Sequence, residues 1–146
     1  METPTVDRLV AADHERWLVL ARAYKAFYGT EVTEVEYGRA WRRLLAEDGV
    51  FGLGARLDGR LVGITHYLFH TGTWNREVCY LQDLFVDPPA RGRGLARALI
   101  DAVAQSSRRR GAEKLYWLTQ THNATARALY DKVARYNDFI RYDYPL

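Results

Sequence analysis

Apolar and polar positions follow two periods along this chain, and each change of period marks a new element. "TVDRLVAAD", residues 5–13, has the alternation of a short first strand. From Asp13 onward, Trp17, Leu20, Ala21, Tyr24, Phe27 and Tyr28 recur at helical spacing until Gly29 stops them. Thr33 and Glu36 form a capping-box pattern, and the helix they open carries Val35, Trp41, Leu44 and Leu45. The period then falls to two. "GVFGLGARLDGRLVGITHYLF" is a pair of strand-like runs joined by Asp58-Gly59, a tight-hairpin signal. A third run, "EVCYLQDLFV", follows the loop "HTGTWNR". A helix then runs to Arg110 and ends at Gly111. A strand "EKLYWLT", a helix from Asn123 to Ala134 and a last strand "DFIRYDY" complete the pattern. No repeat or linker interrupts it, so residues 1–146 read as one domain. The order predicts a mixed α/β fold, with a mostly antiparallel, partly parallel sheet flanked by about four helices.

Composition narrows the chemistry. Hydrophobic residues are 48% and charged residues 27%, ordinary for a globular chain of 146 residues that can bury a real core. The net charge of +3 favours an anionic ligand slightly and is too weak to imply nucleic acid. The single cysteine, Cys79, excludes an intrachain disulfide and a cysteine-based zinc site. No metal-ligand spacing appears, so no metal is expected. The first residues lack a signal pattern, and no apolar run reaches membrane-spanning length. The expectation is a cytoplasmic protein with neither membrane nor nucleic acid as partner.

The stretch "VDPPARGRGLARALI" concentrates glycine and arginine where a strand-like run meets a helix-like run. A helix N-terminus offers backbone N–H groups without intrahelical partners and a partial positive charge. Gly92 and Gly94 let an anion approach that backbone, Pro88 and Pro89 stiffen it, and Arg91, Arg93 and Arg97 add charge. A pyrophosphate suits such a site. The Lys-Ser/Thr pair of a Walker loop is absent, and the dinucleotide fingerprint fails because Arg97 stands where its last glycine belongs. What fits is R-x-x-G-x-A, at Arg91, Gly94 and Ala96. That order resembles the acetyl-CoA loop of the GNAT N-acetyltransferases. "YLQDLFVDPPARGRGLARALI" and "YWLTQTHNATARALY" are similar to the branch holding fungal Hpa-type and diamine acetyltransferases.

The resemblance implies the GNAT acyltransferase fold and acetyl-CoA as co-substrate. The loop residues Arg91, Gly92, Arg93 and Gly94, with Leu95, Ala96 and Arg97 of the helix, would hold its pyrophosphate. Leu84, Phe85 and Val86 would present main-chain groups to the pantetheine arm on a strand bulged and splayed in the family. Asn123 is similar to a family residue that bonds that arm, and it is equally a good N-cap. Tyr130, two helical turns on, is similar to the tyrosine facing the thioester sulfur, or else a core residue. A phenol can return a proton to a thiolate leaving group. The base is less plain. Diamine-type relatives commonly carry a glutamate where this chain has Gln82, which cannot act as a base. Asp83 is the nearest carboxylate, although strict alternation points it away from Gln82. It is a candidate catalytic residue and equally a structural hydrogen-bonder. His66 reads as a satisfied strand histidine, and Cys79 as core.

Tyr24, Phe27 and Tyr28 could wall an acceptor chain, with Glu31, Glu34 or Glu36 attracting its cation. Aromatics at this spacing also serve as core, and acids suit a helix start. The "RRR" run, Arg108 to Arg110, reads as cations at a helix C-terminus. The expected function is acetyl transfer from acetyl-CoA to a primary amine: a small amine or polyamine, an amino acid or a lysine-type peptide. The rival is an acyl-CoA-binding module without turnover. Relatives are commonly homodimers, sometimes exchanging the C-terminal strand, which makes "DFIRYDYPL" a candidate interface.

Overall fold

A computed structural model describes residues 3–146. Strand β1 is Thr5–Arg8 and is shorter than its alternation predicts. The Asp13 carboxylate ends it. One oxygen accepts the Val10 N–H at 2.8 Å, and both oxygens take Arg56 at 2.8 Å. Residues 11–13 therefore turn as a 3-10 helix into α1, His14–Phe27. Helix α2, Glu34–Ala46, opens with the reciprocal box expected: Thr33 N–H donates to Glu36 at 3.0 Å, and Glu36 N–H donates to Thr33 Oγ1 at 3.2 Å. Strands β2, Phe51–Leu57, and β3, Arg60–His70, meet at Asp58 and Gly59, whose φ values of 49° and 76° suit a two-residue hairpin turn. Strand β4 is Val78–Val86, α3 is Leu95–Arg110, β5 is Lys114–Tyr116 and α4 is Ala124–Val133.

The sheet runs β1-β2-β3-β4-β5, antiparallel except for the parallel β4–β5 pair. This is the mixed α/β architecture expected. Helices α1 and α2 cover one face, packing Trp17, Leu20, Trp41 and Leu44 over Leu61, Ile64 and Phe85. Helix α3 covers the other: Leu95 and Leu99 lie with Val62 and Val86, and Ile100 and Val103 lie with Tyr67 and Leu81. Burial of these apolar faces, at roughly 25 cal/mol per Å², is what holds the helices to the sheet. Helix α4 extends the second layer through Leu129, Tyr130 and Val133.

Two expectations change. Strand β5 pairs over only three residues of "EKLYWLT". The segment "DFIRYDY" is not a strand: residues 135–146 are exposed and make no ladder, with Phe139, Ile140, Tyr142 and Tyr144 all open to solvent. An alternating aromatic and β-branched run has strand propensity, yet a strand forms only against a partner edge. Among the described residues the tail finds none.

Candidate active site

Strand β4 is built around a bulge. His66 pairs with Asp83 and Tyr67 with Leu81, so Gln82 is the extra residue. Before it, Cys79 and Leu81 point toward α3; after it, Phe85 packs with the α1–α2 core, and Asp83 shares that side with His66. The bulge thus reverses the parity of the strand. Gln82 itself is exposed. Beyond Tyr80, which pairs with Tyr116, β4 also loses β5, so residues 81–86 face an opening between the two strands. The bulge and splay expected of the family are both present, with the bulge at Gln82, just ahead of Leu84–Val86.

Four polar groups converge at this opening from three elements. Asp83 Oδ2 lies 2.9 Å from His66 Nδ1, and the Tyr24 hydroxyl of α1 faces the same carboxylate. Burial pushes the Asp83 carboxyl up, but the hydrogen bonds from His66 and Tyr24 and the nearby Lys25 charge outweigh it. The net shift is downward, so Asp83 is an anion at neutral pH. Burial and the Asp83 charge both push Tyr24 well above the ordinary phenol range. Tyr28 feels the same two influences. Tyr130 of α4 is raised by burial first, with a smaller contribution from Tyr28 across the opening. Rings frame these groups: Tyr24 meets Tyr28 edge-on at 5.1 Å and Phe85 at 6.0 Å, and Tyr130 meets Trp117 at 5.4 Å.

The loop after β4 has the conformation an anion site needs. Gly92 and Gly94 have φ of 80° and 78°, left-handed values that glycine adopts without penalty. Gly94 is the N-cap of α3, and no side chain caps the helix there. A Cβ built at either glycine meets nothing within 4 Å, so the space before the α3 N-terminus is open to a ligand. Leu95 is buried and anchors the helix start, while Ala96 is small and half-buried, so the first turn presents backbone. Arg91 braces the loop: its Nε donates to the Val86 carbonyl at 3.0 Å, and its guanidinium lies 5.5 Å from the Phe85 ring centre. Arg93 and Arg97 are exposed at the rim. The residues present therefore fit a diphosphate.

Other candidates separate from this cluster. Phe27 is 59% exposed and reaches the cluster only through its edge contact with Tyr28. Glu34 binds Arg22 at 2.8 Å and Glu36 caps α2, so neither is left to attract a cation. Asn123 does serve as the α4 N-cap, accepting from Ala126 N–H at 3.4 Å. Arg110 stands at the far end of α3, about 24 Å from its start at the usual helical rise. There it binds Glu77 at 3.0 Å and covers the Phe69 ring at 4.2 Å, which accounts for Arg110 without a phosphate. Cys79 is fully buried, and burial pushes its thiol up. Sequence reasoning did not join His66 and Trp17 to Asp83. They stand 17 and 66 residues away from it along the chain, and no local pattern connects them. Among the described residues no group of three or more metal-ligating side chains forms, and no helix is long and apolar enough to cross a membrane.

Comparison with known proteins bears on what such a site does. The model of the acetyltransferase (GNAT) family matches residues 15–134. The D-amino-acid N-acetyltransferase HPA3 of Saccharomyces cerevisiae is 33% identical over 135 residues, spanning 89% of this chain and 83% of its own. The thialysine N-epsilon-acetyltransferase of Caenorhabditis elegans is 27% identical over 125 residues, spanning 85% and 78%. Among solved structures, the aminoglycoside N-acetyltransferase AAC(6')-Iy in complex with CoA superposes with a TM-score of 0.86 at 17% identity, covering 99% of this chain and 96% of that one.

Proposed function

This chain belongs to the GNAT acetyltransferase family and is an N-acetyltransferase; from that premise we propose that it transfers acetyl from acetyl-CoA to a small primary amine or amino acid whose ammonium is received at Asp83. The observation that carries the reading is the convergence of Asp83, Tyr24, Tyr28 and Tyr130 on the opening beside β4, next to the uncapped start of α3. The similarity to acetyltransferases that act on D-amino acids and thialysine supports an acceptor of this size and charge.

Acetyl-CoA, when bound, supplies a thioester that an amine attacks with loss of the thiol. The residues divide the remaining work. Backbone N–H groups of residues 94–97 bind the diphosphate, Gly92 and Gly94 allow its approach, and Arg93 and Arg97 add charge. Leu84, Phe85 and Val86, on the unpaired edge of β4, line the pantetheine path, with Asn123 opposite. Asp83 binds the ammonium, framed by the edges of Tyr24 and Tyr28, with Phe27 at the outer rim. Tyr130 keeps its proton at neutral pH and gives it to the departing sulfur. Gln82 supplies no base; its part is the bulge that turns Asp83 inward. The ammonium gives one proton to solvent before attack, and the proton that nitrogen loses after attack restores the Tyr130 phenol.

The exposed tail supports a further part of the reading. Alternating apolar side chains in "DFIRYDY", together with a sheet edge held by only three residues of β5, suit pairing with a second copy, making the protein a homodimer.

Thiol release with spermidine, a lysine peptide and D- and L-amino acids as acceptors tests the function. At least one acceptor should raise release well above hydrolysis of acetyl-CoA alone. Background release with all of them would overturn it.

A further inference from the structure

A line of hydrogen bonds runs from the core to the carboxylate. Trp17 Nε1 donates to His66 Nε2 at 3.0 Å, and His66 Nδ1 lies 2.9 Å from Asp83 Oδ2. An indole nitrogen can only donate, so Nε2 must accept. The imidazole proton is then on Nδ1, where it is donated to Asp83. A second proton on Nε2 would point at the indole N–H. Trp17 is itself immobile: it is 1% exposed and packs on Trp41 at 5.1 Å between ring centres. Its contact therefore settles which imidazole nitrogen faces the carboxylate.

An aspartate has a broad terminal torsion, so a carboxylate held at neither oxygen samples many orientations. The groups facing Asp83 are Tyr24 and Lys25 from α1, Tyr28 just past its end and His66 from β3. Of these, His66 makes the contact of best-defined geometry, and it is anchored in turn. We propose that His66 is a positioning residue for the acceptor: it pins Asp83 Oδ2 so that the remaining lone pairs meet the ammonium already oriented, and Trp17 fixes its tautomer. The inference rests on the reading of Asp83 as the acceptor's anchor. Preorganisation of this kind lowers the ordering cost of binding.

Two conservative variants separate positioning from packing. In His66→Asn the amide nitrogen can occupy the place of Nδ1 and still donate to Asp83, while the contact with Trp17 is lost. In His66→Gln the amide reaches the place of Nε2 and meets Trp17, leaving Asp83 without its donor. Whichever of spermidine, L-lysine and D-phenylalanine reacts fastest with the wild type serves as the probe. H66Q should raise KM for that amine about tenfold or more, the usual size of a lost bond to a charged group, with KM for acetyl-CoA unchanged. H66N should recover most of that loss. Equal defects in both variants, or a milder one in H66Q, would overturn the proposal. Long-range 15N spectra of the wild type should show His66 protonated on Nδ1 and bare on Nε2; the opposite tautomer also overturns it. D83N distinguishes the deeper failure. If D83N leaves the amine KM intact, the anchor reading falls and this inference with it; if D83N raises KM and H66Q does not, this inference alone falls.

Discussion

A half-buried phenol raised above its ordinary value of 10 keeps its proton at neutral pH and can pass it to a thiolate, whose pKa as a free thiol is about 8.5. In the proposed function this part falls to Tyr130, and Asp83 is not its mirror image. A carboxylate held below its ordinary value is a weak base against an amine near 10.4, which is why in the proposed function Asp83 is given the ammonium to anchor and deprotonation is left to water. Two consequences belong together. Tyr130→Phe should lower turnover roughly 10²-fold with the KM for acetyl-CoA little changed. In the wild type, kcat/KM should climb with pH toward the pKa of the amine, because the reactive free base grows while Asp83 stays ionised throughout. Loss of the Tyr130 proton should bend the profile down only above pH 10. A plateau starting near pH 7 would reveal a base in the site and remove the assignment to water. Tyr130 and the Arg91–Ala96 order were legible in the sequence because each rests on local spacing. The inward direction of Asp83 was not, since one extra residue at Gln82 reverses the strand's parity and leaves no trace in hydropathy.

Among the elements, the loop and the start of α3 carry the sharpest expectation. Gly94 is left-handed, and its missing side chain would project into open space. Gly94→Trp should therefore cost the fold only about 1–2 kcal/mol of backbone strain while filling the room a diphosphate needs. CoA affinity measured by titration calorimetry should fall roughly 100-fold or more, equivalent to about 2.7 kcal/mol. Retained affinity would mean the anion binds elsewhere. Capping residues, the Asp58-Gly59 turn and Gly111 were readable because caps and turns are made by neighbours in sequence. The early end of β1 was hidden. It depends on Asp13 meeting Arg56, 43 residues away, and that contact exists only once β2 lies beside β1.

For the whole molecule the prediction concerns the tail. Phe139, Ile140, Tyr142 and Tyr144 are exposed at 70% or more, an apolar surface that the proposed pairing with a second copy would cover. Light scattering after size exclusion should give a dimer for residues 1–146 and a monomer for a chain ended after Ala134. A truncated chain that still dimerised would place the interface elsewhere. The element order, the two amphipathic N-terminal helices, the hairpin and the anion loop follow from sequence alone, because periodicity, caps and turn residues act over a few positions. Tertiary structure alone decided which carboxylate turns toward the opening beside β4, which histidine it meets and whether the last run becomes a strand. Each of those depends on a partner distant in the chain, and a ladder, a bulge register or a hydrogen-bonded line has no existence until both partners are brought together.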